Sequence, residues 1–226
     1  MTLSNQIIQW NRIHAFVICM AGLVMWFYEL SWVLPLMAFL SFAYFIALHF
    51  DLLRSYQPFA GYANWVTSIR LLVVLSAGVI LEHSTYPIFF ICLLLIILAD
   101  ALDGYLARKF NTASSFGAYL DMETDAFYVC VLSYLLYQEG LAPVWILWVG
   151  WLRYLAVVVE ILLGIHGQEA PPNPYARNIA GFLFVALLMP WISSSTVYYW
   201  PLLLAAVLVT FSFAYSFYLA LWQKSV

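Results

Sequence analysis

The stretch DALDGYLARKFNTASSFGAYLDMETD, Asp100–Asp125, sits between two nearly pure hydrocarbon runs, FFICLLLIILA before it and AFYVCVLSYLLY after it. It sets Asp100, Asp103, Asp121 and Asp125, two glycines and Arg108 where one apolar segment ends and the next begins. On a helix, residues three and four apart share a face. Asp100, Asp103, Gly104, Ala107 and Arg108 therefore line one side of a first helix, and Gly117, Asp121 and Asp125 one side of a second. Glu123 points away from that face and reads as solvated or partner-facing. A short loop makes the two helices antiparallel, so the acidic faces can meet. Gly104 and Gly117 remove side chains where the helices or a ligand approach closely.

The energetics of this arrangement call for positive charge. An aspartate at the centre of a membrane helix costs about 2.5–3.5 kcal/mol, less near the interface. Four convergent carboxylates also repel one another, and one arginine does not neutralise them. Hard divalent cations bound by carboxylate oxygens do, Mg2+ first and Mn2+ next. A pair of such ions about 4 Å apart suits phosphoryl transfer, one stabilising the leaving oxygens and the other orienting the incoming one.

The rest of the chain explains why lipid enters that calculation. Of 226 residues, 66% are hydrophobic and only 8% charged, too few to cover a water-facing surface. Helices are the expected spanning element, because isolated strands leave backbone groups unpaired in lipid. Eight segments are long and apolar enough: 13–29, 32–50, 63–82, 85–108, 116–138, 141–165, 177–195 and 198–222. With the N-terminus cytoplasmic, the cytoplasmic ends hold Arg12, Arg54, Arg108, Lys109, Arg177 and Lys224, whereas the opposite loops carry Glu29, Glu82 and Glu139. Both termini are thus expected inside, with the acidic stretch near the cytoplasmic face. No signal-peptide cleavage pattern follows Arg12, so the whole chain is kept. Cys19, Cys92 and Cys130 read as buried small hydrophobes. No basic stripe suggests nucleic acid.

The pattern Asp100-x-x-Asp103-Gly104-x-x-Ala107-Arg108, then Gly117-x-x-x-Asp121-x-x-x-Asp125, resembles the signature of the CDP-alcohol phosphotransferases, strongest over about 60–140. The resemblance implies a membrane enzyme with a six-helix core that moves a substituted phosphate from a CDP-linked donor to an alcohol, releasing CMP. It implies that Asp100, Asp103 and Asp121 hold one metal, that Asp100, Asp121 and Asp125 hold a second, and that Asp125 is the general base. Gly104, Arg108 and Ser114 would meet the CDP moiety. A second patch, Asn64, Thr67 and Arg70, is similar to the family's nucleotide-associated segment at the start of the first core helix.

Arg153 lies deep in the sixth expected span and needs an anion or a carboxylate. It is similar to an arginine that meets the acceptor in several family members; pairing with Glu160, two turns on, is the alternative. Arg177 either lines the same cavity or obeys the positive-inside rule. His14, His49, His83 and His166 sit at span ends and read as interfacial, and Tyr198, Tyr199 and Trp200 as an aromatic belt.

The expected fold is an all-α polytopic membrane helical bundle. Residues 1–60 form a two-span extension and residues 61–226 a six-span catalytic core. The expected reaction transfers a phosphatidyl group from CDP-diacylglycerol to a small polar alcohol, with two Mg2+ or Mn2+ ions, in a homodimer in a bacterial or archaeal inner membrane. A carboxylate-lined transporter predicts a polar path across the bilayer, and a Mg-dependent prenyltransferase predicts acidic motifs far apart. The clustered, adjacent motifs fit neither.

Overall fold

A computed structural model of the chain describes residues 3–55, 61–80, 91, 93–99, 109–110, 114–164, 175–193 and 196–225. All regular structure among them is helical. In chain order these are α1 (Leu3–Tyr28), α2 (Val33–Leu48), α3 (Phe50–Ser55), α4 (Tyr62–Ile80), a helical run at 93–99, α5 (Ser115–Gln138), α6 (Ile146–Leu163), α7 (Ala176–Leu188) and α8 (Tyr199–Ser225). Gln6–Tyr28, Ile146–Leu163 and Thr196–Trp222 are long and apolar enough to cross a membrane, and Val33–Leu48 and Ala176–Trp191 are shorter apolar helices. Large apolar side chains such as Phe27, Leu162 and Phe211 point outward, as expected where the solvent is hydrocarbon.

Several expected segments differ in detail, the helix of 141–165 beginning only at Ile146, and of 85–108 only 91 and 93–99 lie among the described residues. The first helix begins at Leu3 rather than near residue 13, because Ile7 and Trp10 bury their side chains against the bundle. The segment 32–50 ends as a helix at Leu48, and a separate turn of helix follows from Phe50 to Ser55. The segment 177–195 tightens into a 3-10 turn at Met189–Trp191, where Pro190 supplies no backbone donor.

The acidic helix α5 is the hub. It packs against α4 and α6, with further contacts to α7 and α1; α1 packs on α2 and α6, and α8 on α7 and α6. Accordingly α5 is buried on nearly every side, from Phe116 and Leu120 through Phe127 to Leu136. The N-terminal pair belongs to the same apolar core: Trp10 stacks on Phe45 at 4.0 Å, and Phe45 on Phe116 of α5 at 4.8 Å. This corrects the interfacial reading of two histidines. His14 is fully buried with Nδ1 2.8 Å from Ser41 Oγ, and His49 is buried with Nδ1 2.8 Å from the Phe45 carbonyl oxygen. His83 and His166 lie outside the described residues.

Two glycines set the α5–α6 hairpin. Gly140 takes φ +66°, a conformation L side chains rarely adopt, and lets the Leu141 and Ala142 N–H groups both reach the Leu136 carbonyl. Gly150 permits close approach, since a Cβ there would lie 3.0 Å from Ser133 Cβ and 3.1 Å from Cys130 Cα. Gly150→Val should force the two helices apart and destabilise the bundle by about 1–3 kcal/mol. Thermal denaturation in detergent checks this; an unchanged midpoint would show that the contact is loose.

Candidate active site

The N-terminus of α5 is built by Ser114, whose extended backbone (φ −145°, ψ 156°) and hydroxyl cap the helix: Oγ accepts the Gly117 N–H at 3.1 Å. Ser114, expected at the CDP moiety, is thus also the residue that starts the acidic helix. The bare Cα of Gly117 faces α4, where a Cβ would fall 2.7 Å from Asn64 Oδ1. Close packing at this point brings the Asn64–Thr67–Arg70 face of α4 onto the Gly117–Asp121–Asp125 face of α5. Asn64, Thr67 and Arg70 are all buried, and the Thr67 hydroxyl donates to the Ala63 carbonyl at 3.1 Å.

Arg70 is the electrostatic centre of this interface. Its Nη2 donates to Asp121 Oδ1 at 2.5 Å and to Asp125 Oδ1 at 2.8 Å. The guanidinium side chain is 1% exposed, but those of Asp121 and Asp125 are 38% and 32% exposed. The cation is therefore sunk between helices while the carboxylates it holds look outward. A buried guanidinium is tolerable only with such charge-assisted partners. In return it pins two carboxylates that would otherwise repel.

The carboxylates open into a cavity of about 750 Å³ between α5, α6, α7 and α8. Asp121, Asp125, Arg153, Arg177 and Ser212 line its polar side, and Leu183, Phe184, Val209 and Phe213 its apolar wall. The cavity thus joins Arg153 and Arg177, singled out on different expected spans, to the aspartates. Arg177 sits exposed in the first turn of α7. Arg153 donates from Nη2 to Glu123 Oε1 at 2.6 Å, with Met122 Sδ at 3.7 Å. Glu123 is 1% exposed, so of its two expected readings the solvated one is corrected and the partner-facing one holds, and the close carboxylate partner of Arg153 is Glu123 rather than Glu160. Ser212, from α8, is not among the expected site residues; it is one of three small hydroxyl residues, with Thr210 and Ser216, in TFSFAYSFY, and nothing in the sequence singles it out from them.

Asp100, Asp103, Gly104, Ala107 and Arg108 lie outside the described residues. Among the described residues no three His, Cys, Asp or Glu side chains form a metal-binding group. Asp121 and Asp125 nonetheless fit a hard divalent cation: they are oxygen donors one helical turn apart, partly exposed to one cavity, with Oδ1 atoms converging on a single positive group.

The family model for CDP-alcohol phosphatidyltransferase matches residues 61–214, more than half of the chain, and begins just before α4. A CDP-diacylglycerol–serine O-phosphatidyltransferase of Methanocaldococcus jannaschii is 32% identical over 121 residues, 54% of this chain and 52% of that protein. A CDP-diacylglycerol–glycerol-3-phosphate 3-phosphatidyltransferase of Bacillus subtilis is 36% identical over 75 residues, 33% of this chain and 39% of that protein. A CDP-diacylglycerol–inositol 3-phosphatidyltransferase of Arabidopsis thaliana is 48% identical over 42 residues, 19% of this chain and 18% of that protein. The chain spans about half the length, or less, of these curated relatives. No solved structure matches it.

Proposed function

The chain belongs to the CDP-alcohol phosphatidyltransferase family, and from that premise we propose that it transfers a phosphatidyl group from CDP-diacylglycerol to the hydroxyl of a small polar alcohol, releasing CMP in phospholipid synthesis. The observation that carries this reading is the convergence of Asp121, Asp125, Arg153 and Arg177 on one cavity with an apolar wall. Such a cavity suits a reaction between a lipid-linked diphosphate and a polar acceptor.

In this mechanism the acceptor oxygen attacks the phosphorus on the diacylglycerol side of the donor. A new P–O bond forms, the bond to the bridging oxygen breaks, and CMP leaves with that electron pair. Asp125 takes the acceptor hydroxyl proton on a carboxylate oxygen. Arg70 keeps Asp121 and Asp125 in register, so the base does not swing away with its new proton. Asn64 and Thr67 on α4, together with Arg70, Gly104, Arg108 and Ser114, belong to the donor side. Two Mg2+ or Mn2+ ions held by Asp100, Asp103, Asp121 and Asp125 would supply positive charge against the donor diphosphate. Leu183, Phe184 and Phe213 keep bulk water from competing with the acceptor.

Arg153 and Arg177 on the cavity wall favour an acceptor that carries its own negative charge, such as a glycerol phosphate or an inositol phosphate. The acceptors in the relatives' names, serine, glycerol 3-phosphate and inositol, bracket the choice. The same reading gives a homodimer in a bacterial or archaeal inner membrane, with the site near the cytoplasmic face.

The test is CMP release by the purified protein in detergent, given CDP-diacylglycerol and a panel of glycerol 3-phosphate, inositol 1-phosphate, inositol, serine and glycerol. One acceptor should give turnover that chelation with EDTA abolishes and added Mg2+ or Mn2+ restores. Folded protein that releases no CMP with any of them would overturn the reading.

A further inference from the structure

Arg153 meets the acceptor in the reaction as written above, but its partner Glu123 has no part in it, although the two form one of the most deeply buried charge pairs of the described residues. Glu123 lies on the face of α5 opposite Asp121 and Asp125, 1% exposed, and reaches Arg153 of α6 through Oε1 at 2.6 Å. Its other oxygen, Oε2, is buried with no hydrogen-bond partner among the described residues. Two other buried polar atoms also lack partners among the described residues, His14 Nε2 on α1 and the Tyr154 hydroxyl on α6. The His14 and Tyr154 rings meet edge-on at 5.9 Å, which brings α1 against the residue next to Arg153.

A pure packing role explains this poorly. A buried ion pair is often no more stabilising than apolar residues of the same volume, and an open carboxylate oxygen makes it less so. What the pair does provide is direction. Arg153 is the point where this buried cluster meets the cavity, and its Nη2 is held from behind, so the rest of the guanidinium fork faces a fixed way. An arginine left free would lose side-chain entropy each time it met a ligand.

We infer that Glu123 is a positioning residue that fixes the Arg153 guanidinium at the cavity wall to receive an acceptor's anionic or strongly polar group, with His14 of the N-terminal helix pair packed on Tyr154 at the back of the same cluster. This rests on the proposed transfer reaction. It gives α1 a part in that reaction: the N-terminal pair closes the far side of the cluster that aims Arg153.

The experiment is a double-mutant cycle of Glu123→Gln and Arg153→Gln, with KM for the turned-over acceptor and KM for CDP-diacylglycerol measured separately. Glu123→Gln should raise the acceptor KM about tenfold, leave the donor KM within about twofold, and add nothing in the Arg153→Gln background. His14→Phe, which keeps an aromatic ring, should raise the acceptor KM about threefold in the same direction. An acceptor KM within about twofold of wild type in Glu123→Gln, or effects that multiply in the double variant, overturns the inference. An unaltered KM in His14→Phe overturns the part given to α1. If Glu123→Gln does not fold, Glu123→Asp, which keeps the charge and shortens the reach, should give an intermediate acceptor KM; a wild-type value there is equally fatal.

Failure of the parent reading looks different, because wild type then releases no CMP with any acceptor. In that case the readout becomes the thermal shift of the protein by glycerol 3-phosphate. A wild-type shift lost alike in Glu123→Gln and Arg153→Gln upholds the positioning role. A shift retained in Glu123→Gln, or no shift in wild type, removes it.

Discussion

Asp125→Asn should leave the bundle folded and lower CMP release by about 10²–10⁴-fold, the range for losing a positioned general base. Asparagine has the same shape, and its Oδ1 can still accept from Arg70 Nη2, which now reaches Asp125 Oδ1 at 2.8 Å. The interhelical contact therefore survives while the charge and the proton acceptor are lost. Each tenfold corresponds to about 1.4 kcal/mol of transition-state stabilisation. The thermal midpoint in detergent should stay near that of wild type, since Arg70 keeps a full ion pair with Asp121 at 2.5 Å. Residual turnover within about tenfold of wild type would rule Asp125 out as the base. A large fall in the midpoint would mean that the rate loss reports unfolding.

Arg70→Met should do the reverse, striking stability as well as rate. The guanidinium is sunk between α4 and α5 at 1% exposure and holds two carboxylates at once. Removing one member of a buried pair costs about 3–5 kcal/mol, because charge is left without compensation. Here Asp121 and Asp125 are about a third exposed and can turn toward the cavity, which places the loss at the lower end, about 3 kcal/mol. Arg70→Lys should recover part of this and none of the two-pronged geometry, because an ammonium is a point charge on a flexible stem. Adding Asp125→Asn to Arg70→Met should restore some stability by removing one of two mutually repelling carboxylates. Denaturation midpoints of the four proteins check the argument. An Arg70→Met protein as stable as wild type would sink the idea that this contact organises the site.

The two results together would separate what Asp125 does to substrate from what Arg70 does to Asp125. The Arg153 cluster invites the same separation on the other side of α5. That helix presents carboxylates on opposite faces: Asp121 and Asp125 toward α4 and the cavity, Glu123 toward α6. Each is matched by an arginine from a neighbouring helix, which is how a helix with three acids in five residues sits inside an apolar bundle.

Much of this was legible without coordinates. Helical structure throughout, lipid as solvent and the shared face of Gly117, Asp121 and Asp125 follow from composition and from spacing within one segment. Local backbone geometry enforces that spacing wherever the helix ends up. The α5 boundaries agree with the apolar run to within a residue, because Ser114 is a cap and Gly140 a turn residue with local signatures.

Partners were a different matter. Arg70 meets Asp121 and Asp125 across 51 and 55 residues of chain, and Arg153 meets Glu123 across 30. The sequence reads Glu123 as solvated or partner-facing because it lies opposite the acidic face, and on a surface helix the opposite face is the outer one. In this bundle α5 is enclosed by α4, α6, α7 and α1, so both of its faces are interior. His14 and His49 were misread for the same reason, since a helix end in sequence became a buried position once α1 and α2 packed on α5. The sequence by itself determined which residues share a helix face and that their charge must be neutralised. Only the tertiary structure decided which helix supplies the neutralising group, because in a chain apolar on nearly all sides no periodicity marks the inward direction, and packing between distant helices does.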